Sequence, residues 1–464
     1  MRNSVSHCTS TNNSNFFHVN KIYLANIIIV SLSSMDLNRI SSIVKGDFFK
    51  SFTVLMSGTL IAQIIGYAIA PILTRLYTTE EMGELGFYMR LTGFIAAIAT
   101  LRYEAALPLP KKDEHSFLLY RLAYLISMVV LIIVAIVFLF LIVSGIGSEF
   151  DWWFYLFTIL GTFFVIIINV GTSWSVRMGQ YPIISRHKIV NSLVANLLKW
   201  LFAFFHLSAF GLILATLFGY FLSSLEFAFN FKKIRSKFKG SISNKKTRAL
   251  MLEHKEFPTL NLPHVFVDNG RDMLIATLIF TYYSVGIYGS FNHSYTMLRI
   301  PLMLVGVALG QVFYNKASEL YNQNKSIMPL LTRMLLLLSA LSIVPFTILF
   351  FYGEPIFIFI FGPNWGQAGA YSETMSVWLL FNFILSPITA LPLIIGKQKI
   401  AFLFGIISSL IQLLPLWLLP MNYGNSEEVF DFTLQIISYS QAAWLVFTLF
   451  VFYSMAKKAT AKQT

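Results

Sequence analysis

The sequence predicts an all-α, polytopic membrane protein: about twelve transmembrane helices in two six-helix lobes around a central cavity. Three observations carry this expectation. Hydrophobic residues make up 56% of the 464 and charged residues only 12%, about half the charged share of a soluble domain. The apolar residues fall in uninterrupted runs of spanning length, as in Phe117 to Val143, whereas barrel strands alternate every second residue. The Lys and Arg residues gather in alternate loops, the pattern that sets topology in helical membrane proteins.

Residues 1–51 read as a cytoplasmic tail, rich in Ser, Asn and Thr over Met1–Asn20. The apolar run Ile22–Leu32 is too short to span, and no small-residue cleavage site follows a basic region. A membrane protein reads naturally from Met35, so residues 1–34 are expected to be either dispensable or an extension from an upstream start codon. The N-terminal lobe, 52–230, contains spans at 52–73, 83–101, 117–143, 153–176, 183–205 and 209–230. A basic cytoplasmic linker, 231–257, separates it from the C-terminal lobe, 258–455. That lobe contains spans at 260–281, 287–314, 329–352, 371–393, 400–419 and 431–455, before a cytoplasmic tail at 456–464. Pro258, Pro263 and Gly270 predict a bent or broken seventh span. Gly83-Glu-Leu-Gly86, opening the second span, is matched by Gly286-Ile-Tyr-Gly289, opening the eighth. Two parallel repeats split six and six by the linker form a transporter layout.

The net charge of +13 is a one-sided distribution: 29 of the 34 Lys and Arg lie on the side of the tails and the linker. The other side carries Arg75 and the acidic residues Glu80, Glu81, Glu84, Glu149, Asp151, Glu354, Glu427, Glu428 and Asp431. Both termini are therefore expected in the cytoplasm. The linker reads as a topology determinant touching anionic lipid, with no nucleic acid as partner. The single cysteine, Cys8, excludes an internal disulfide and a Cys-based metal site. Walker A, HExxH and CxxC motifs do not occur, and no cofactor or enzymatic activity is expected.

Four cations remain inside the spans: Arg90, Lys199, Arg271 and Arg299. By helical rise, Lys199, Arg271 and Arg299 fall near the midplane and Arg90 nearer the outer side. Charges in that position normally face a protein interior or a wet cavity. Asp268 and Asp272 share a span with Arg271, and Asn261, His264, Asp268 and Arg271 follow helical spacing along one face. One reading makes Asp268, with Arg271 or Asp272, a charge pair serving neutralisation alone. Another makes the surplus of two positive charges a complement to phosphate or diphosphate. His264 and His293 read either as satisfied interior groups or as proton-linked ones. Glu149 and Asp151 form an acidic pair in an outer loop, where a membrane glycosyltransferase would place its base, or, beside Trp152 and Trp153, an interface anchor.

Several runs resemble Wzx-type polysaccharide transporters of the MOP flippase superfamily. They are Gly58 to Leu76, Thr78-Thr-Glu-Glu-Met-Gly83, Leu101-Arg-Tyr-Glu104, Glu256-Phe-Pro258, Leu298-Arg-Ile-Pro301, Gly310-Gln-Val-Phe-Tyr314 and Phe361-Gly-Pro-Asn-Trp-Gly366. The resemblance implies flipping of undecaprenyl-diphosphate-linked oligosaccharide repeat units across the bacterial inner membrane. It further implies a V-shaped cavity, alternating access, coupling to H+ or Na+, and work alongside a polysaccharide polymerase and chain-length machinery. The product would be O-antigen, capsule or another exopolysaccharide. Carried onto this chain, Arg299, Arg271, Lys199 and Arg90 become the diphosphate ligands, and Asp268, Asp272 and His264 the ion-coupling groups. Arg102 and Glu104 would pin the cytoplasmic end of the second span. The alternatives are a polysaccharide polymerase or ligase acting at Glu149 and Asp151, and a peptidoglycan-precursor (lipid II) flippase. A drug exporter of the multidrug branch would want an acidic cavity, against the charge count.

Overall fold

The computed structural model describes residues 47–146, 150–238, 240 and 242–461, which are helical throughout apart from short connections. The expected extension at 1–34, and Glu149, lie outside the described residues. Twelve long helices occur among the described residues, each overlapping one of the twelve apolar stretches. In the first half they are α1 (Asp47–Leu76), α2 (Thr79–Ala99), α3 (Asp113–Ser144), α4 (Trp152–Arg177), α5 (Tyr181–Ala203) and α6 (Ser208–Lys237). In the second they are α7 (Leu262–Tyr282), α8 (Val285–Asn322), α9 (Met328–Phe361), α10 (Gly366–Leu385), α11 (Gln398–Tyr423) and α12 (Glu427–Ala461). Nine of the twelve are long and apolar enough to cross a membrane. The exceptions, α2, α5 and α7, are the helices that carry Arg90, Lys199 and the 268–272 charge cluster. The chain is a multi-pass membrane protein.

Local chemistry sets the helix ends. Thr78 and Glu81 form a capping box at the start of α2: the Thr78 amide donates to Glu81 Oε2 at 2.8 Å and the Glu81 amide to Thr78 Oγ1 at 3.3 Å. Ser284 caps α8, accepting from the Ile287 amide at 3.1 Å. Such caps satisfy amides that the first helical turn leaves free. α9 ends at Gly362, whose φ of 107° suits a residue without a side chain. The bend expected near Pro258 is a π-helical turn, Phe257–Asn261, leading into α7. A second bend lies in α9 at Tyr352, between Pro345 and Pro355.

In the first half α5 packs between α1 and α6, and α4 packs on α6 and α2. In the second half α10 is central, touching α8, α9 and α12, while α11 packs on α12 and α7. The two groups meet where α2 lies along α7 and α8, and where α1 reaches α9. Phe87 of α2 stands 4.7 Å from Phe280 of α7 across that seam. The outer face of α3 leaves Ile132, Phe140 and Val143 bare, Val143 to 78%. A band of that kind suits a lipid surface. We call the end of the bundle with the loops after even-numbered helices the basic end, and the opposite one the acidic end.

Candidate functional site

Two of the three more polar helices, α2 and α7, meet at the seam between the halves, where their charges converge with Arg299 of α8. Asp272 sits midway along the 21 residues of α7, and Arg90 midway along the 21 residues of α2. The two helices pack against each other, so their centres meet. Arg90 Nη1 lies 3.4 Å from Asp272 Oδ2, and Arg299 Nη1 of α8 lies 3.1 Å from the same oxygen. Arg271 donates from Nη2 to Asp272 Oδ1 at 2.9 Å and from Nε at 3.2 Å. One carboxylate, 19% exposed, thus serves three guanidiniums. The Arg299 guanidinium also stands over the Tyr295 ring, 5.3 Å from its centroid, a cation–π contact. Two positive charges at this seam have no carboxylate of their own. Planar guanidiniums in such surplus are suited to phosphate oxygens.

The structure brings together Arg90, Arg271, Arg299 and Asp272 and leaves the other expected residues apart. Asp268 pairs with neither Arg271 nor Asp272. Its Oδ2 lies 3.7 Å from His264 Nε2, and both side chains are more than half exposed, at 57% and 64%. Asn261 leaves that face too, accepting from Arg102 Nε at 2.9 Å. The expected depths of Arg90 and Lys199 are exchanged. Arg90 is central on α2, whereas Lys199 lies four residues from the end of α5, where its carbonyl accepts from the Tyr77 hydroxyl at 2.7 Å near the acidic end. Asp151, at the start of α4, accepts from Trp153 Nε1 at 2.9 Å.

Lys199 instead lines a cavity of ≈ 520 Å³ on the first-half side of the seam. The cavity runs from Thr59 and Lys188, toward the basic end, to Leu73 and Thr74 toward the acidic end, with Asn292 and His293 of α8 on its far wall. Lys188 also stands on α5 and donates to Thr59 Oγ1 at 2.9 Å. It belongs to a polar stripe of α5, with Asn191, Ser192, Asn196 and Lys199, all facing the cavity. Their spacing of three, four, eight and eleven residues is the helical period; scanning for polar rather than apolar periodicity would have found it. His293 is buried, its ring 4.4 Å from Trp365, and its Nε2 has no partner.

The cavity ends where the halves lock at the acidic end. The two glycine motifs that looked like a repeat touch one another there. A methyl group on Gly289 would collide with the Thr79 carbonyl oxygen, and one on Gly83 with the Val285 carbonyl oxygen. Without side chains at these positions, α2 and α8 cross at backbone contact. Beside them Arg75 donates from Nη1 to the Ile360 carbonyl at 2.7 Å and from Nη2 to that of Phe359 at 2.9 Å. It thereby caps the C-terminus of α9 with a cation. Trp365 Nε1 donates to the Thr74 carbonyl at 2.7 Å. At the basic end, Arg102 joins Asn261 to Glu104, the latter 2.7 Å away and also bonded to Thr100.

Solved structures share this architecture. The chain resembles an inward-facing multidrug resistance MATE family transporter of the MOP superfamily, with a TM-score of 0.63 and 14% identity over 89% of this chain and 98% of that one. It likewise resembles the lipid II flippase MurJ in an inward closed conformation, with a TM-score of 0.64 and 15% identity over 87% of this chain and 90% of that one. A MOP superfamily transporter from Pyrococcus furiosus, described as having a binding pocket of reverse polarity, matches with a TM-score of 0.53 and 13% identity over 90% and 97%. At such identities the likeness establishes the fold alone. No curated protein matches the chain in sequence. Residues 72–370 match the model of one family, described as Polysaccharide biosynthesis protein. That match covers well over half of the sequence, and the chain belongs to this polysaccharide biosynthesis family.

Proposed function

We propose that this protein flips undecaprenyl-diphosphate-linked oligosaccharide repeat units across the bacterial inner membrane by alternating access, for surface polysaccharide synthesis. The observation that carries the reading is the sharing of Asp272 by Arg90, Arg271 and Arg299. A diphosphate brings the negative charge that this seam lacks. It can take guanidinium contacts from both halves while Asp272 holds the arginines in place when no substrate is bound. Lys199 and Lys188, in the adjoining cavity, supply further cations along the path. The surplus of positive charge disfavours the cationic cargo of a drug exporter.

In this reading the basic end is cytoplasmic and both termini lie there, as the charge distribution supports. The lobes are 52–230 and 258–455, joined by the 231–257 linker, and the glycine crossing, Arg75 and Trp365 hold them together at the acidic end. Coupling to H+ or Na+ falls to the His264–Asp268 pair, which is exposed and forms no ion pair with a guanidinium, in preference to Asp272, whose oxygens are occupied. The test is a deletion strain. The reading expects lipid-linked repeat units to accumulate on the cytoplasmic face with loss of surface polysaccharide. Units that reach the outer face but remain unpolymerised would point instead to a polymerase or ligase. Accumulated lipid II would point to a peptidoglycan-precursor flippase.

A further inference from the structure

Beyond the seam, the second half contains a separate pocket of ≈ 290 Å³ among α7, α8, α10, α11 and α12. Arg271 and Arg299 belong both to the Asp272 cluster and to the wall of this pocket. Behind them the wall carries neutral polar groups: Asn382, Ser386, Gln412 and Gln441. Two buried atoms on this wall have no partner. One is Oε1 of Gln441, a residue 2% exposed, whose Nε2 donates to Ser408 Oγ at 2.6 Å. The other is Nε1 of Trp378, a residue 5% exposed, whose ring stacks on Tyr295 at 6.0 Å.

An unsatisfied acceptor and an unsatisfied donor in one buried pocket are each costly unless something bonds to them. The pair also restricts what that something is. A bare cation would find guanidiniums at the entrance and no carboxylate except Asp272, which they already occupy. A bare anion would answer the guanidiniums and Trp378 Nε1 but leave Gln441 Oε1 without a donor. A hydroxyl group both donates and accepts, so a polyol answers Trp378 Nε1 and Gln441 Oε1 together. The indole supplies an apolar face for the C–H side of a sugar ring. The volume lies at the small end of ligand pockets, suited to one ring rather than a chain.

We propose that this pocket is a saccharide subsite. It takes the sugar attached directly to the diphosphate, while Arg271 and Arg299 hold the diphosphate itself at the boundary with the seam. This assignment rests on the flippase reading and makes the second half the one that inspects the cargo's first sugar.

The test uses the full chain in lipid nanodiscs and two synthetic probes: a short-chain polyprenyl diphosphate bearing one hexose, and the same diphosphate without sugar. The wild type should bind the hexose-bearing probe more tightly. Gln441→Leu and Asn382→Ala should each weaken it by about tenfold, the scale of one or two lost hydrogen bonds, and leave the sugar-free probe unchanged. Arg299→Ala should weaken both. Should Gln441→Leu fail to fold, Asn382→Ala, at a partly exposed position, carries the same comparison. Equal wild-type affinity for the two probes, or variants that weaken neither or both alike, would overturn the subsite and leave the flippase reading standing. A wild type that binds neither probe overturns both.

Discussion

Arg90 and Asp272 face one another at 3.4 Å across the seam between the two halves, each at the centre of its own 21-residue helix. Two further arginines, both from the second half, share the same carboxylate. The charge that ties the halves together is therefore the charge that keeps a cluster of cations in place. Any ligand that competes for those arginines also acts on the contact between the halves, which is how binding can be linked to movement.

Replacing Asp272 removes the anion and leaves three guanidiniums facing each other. Asp272→Asn should lower stability by about 2 kcal/mol, between the values for exposed and for fully buried pairs. A soluble diphosphate should restore much of the loss, because an anion bound only to the folded state stabilises it. Thermal unfolding in detergent, with and without diphosphate, checks both parts. An unchanged midpoint would count against the cluster's role.

The glycine crossing tolerates no side chain. Gly289→Val places atoms on the Thr79 carbonyl oxygen and should hold the acidic end apart, abolishing transport without loss of membrane insertion. Gly93→Ala is the control, since nothing lies within 4 Å of the added methyl group. It should be neutral or stabilising by up to about 1 kcal/mol. Cysteine cross-linking between the acidic ends of α2 and α8 reads out the difference.

Arg75 holds two carbonyls at the end of α9 from the far side of the seam. Arg75→Ala should loosen the acidic end, seen as a broader spin-label distance distribution between α1 and α9. Lysine carries the charge without the fork and should restore the distribution only in part. A distribution unchanged in Arg75→Ala would show that Trp365 and the glycine crossing suffice.

The His264–Asp268 pair is long and exposed, so Asp268→Asn should cost less than about 0.5 kcal/mol of stability. If the pair carries ion coupling, the same variant should lose the dependence of transport on an imposed H+ or Na+ gradient. Retained gradient dependence would move coupling elsewhere.

Most of the fold was legible in the sequence. Twelve apolar stretches overlap twelve helices, because continuous apolarity of spanning length leaves few other structures possible. The alternation of basic loops paired their ends. The site was legible in part. That Arg90, Arg271 and Arg299 turn toward the protein interior followed from the cost of charge in a membrane, but their common partner did not. Asp272 looked no different from Asp268 on the page, and only the packing of α2 against α7 separates one that is enclosed by arginines from one that is exposed. The paired glycine motifs were read as a trace of duplication. They are also each other's contact surface, which sequence similarity alone does not reveal.

The central claim is that the arginine cluster on Asp272 receives the diphosphate of a lipid-linked saccharide. The most direct measurement is the fraction of lipid-linked repeat units on each membrane face in cells carrying Arg299→Ala at normal membrane levels. The account predicts accumulation on the cytoplasmic face and loss of surface polysaccharide, as in the deletion strain. Wild-type distribution between the faces would contradict it.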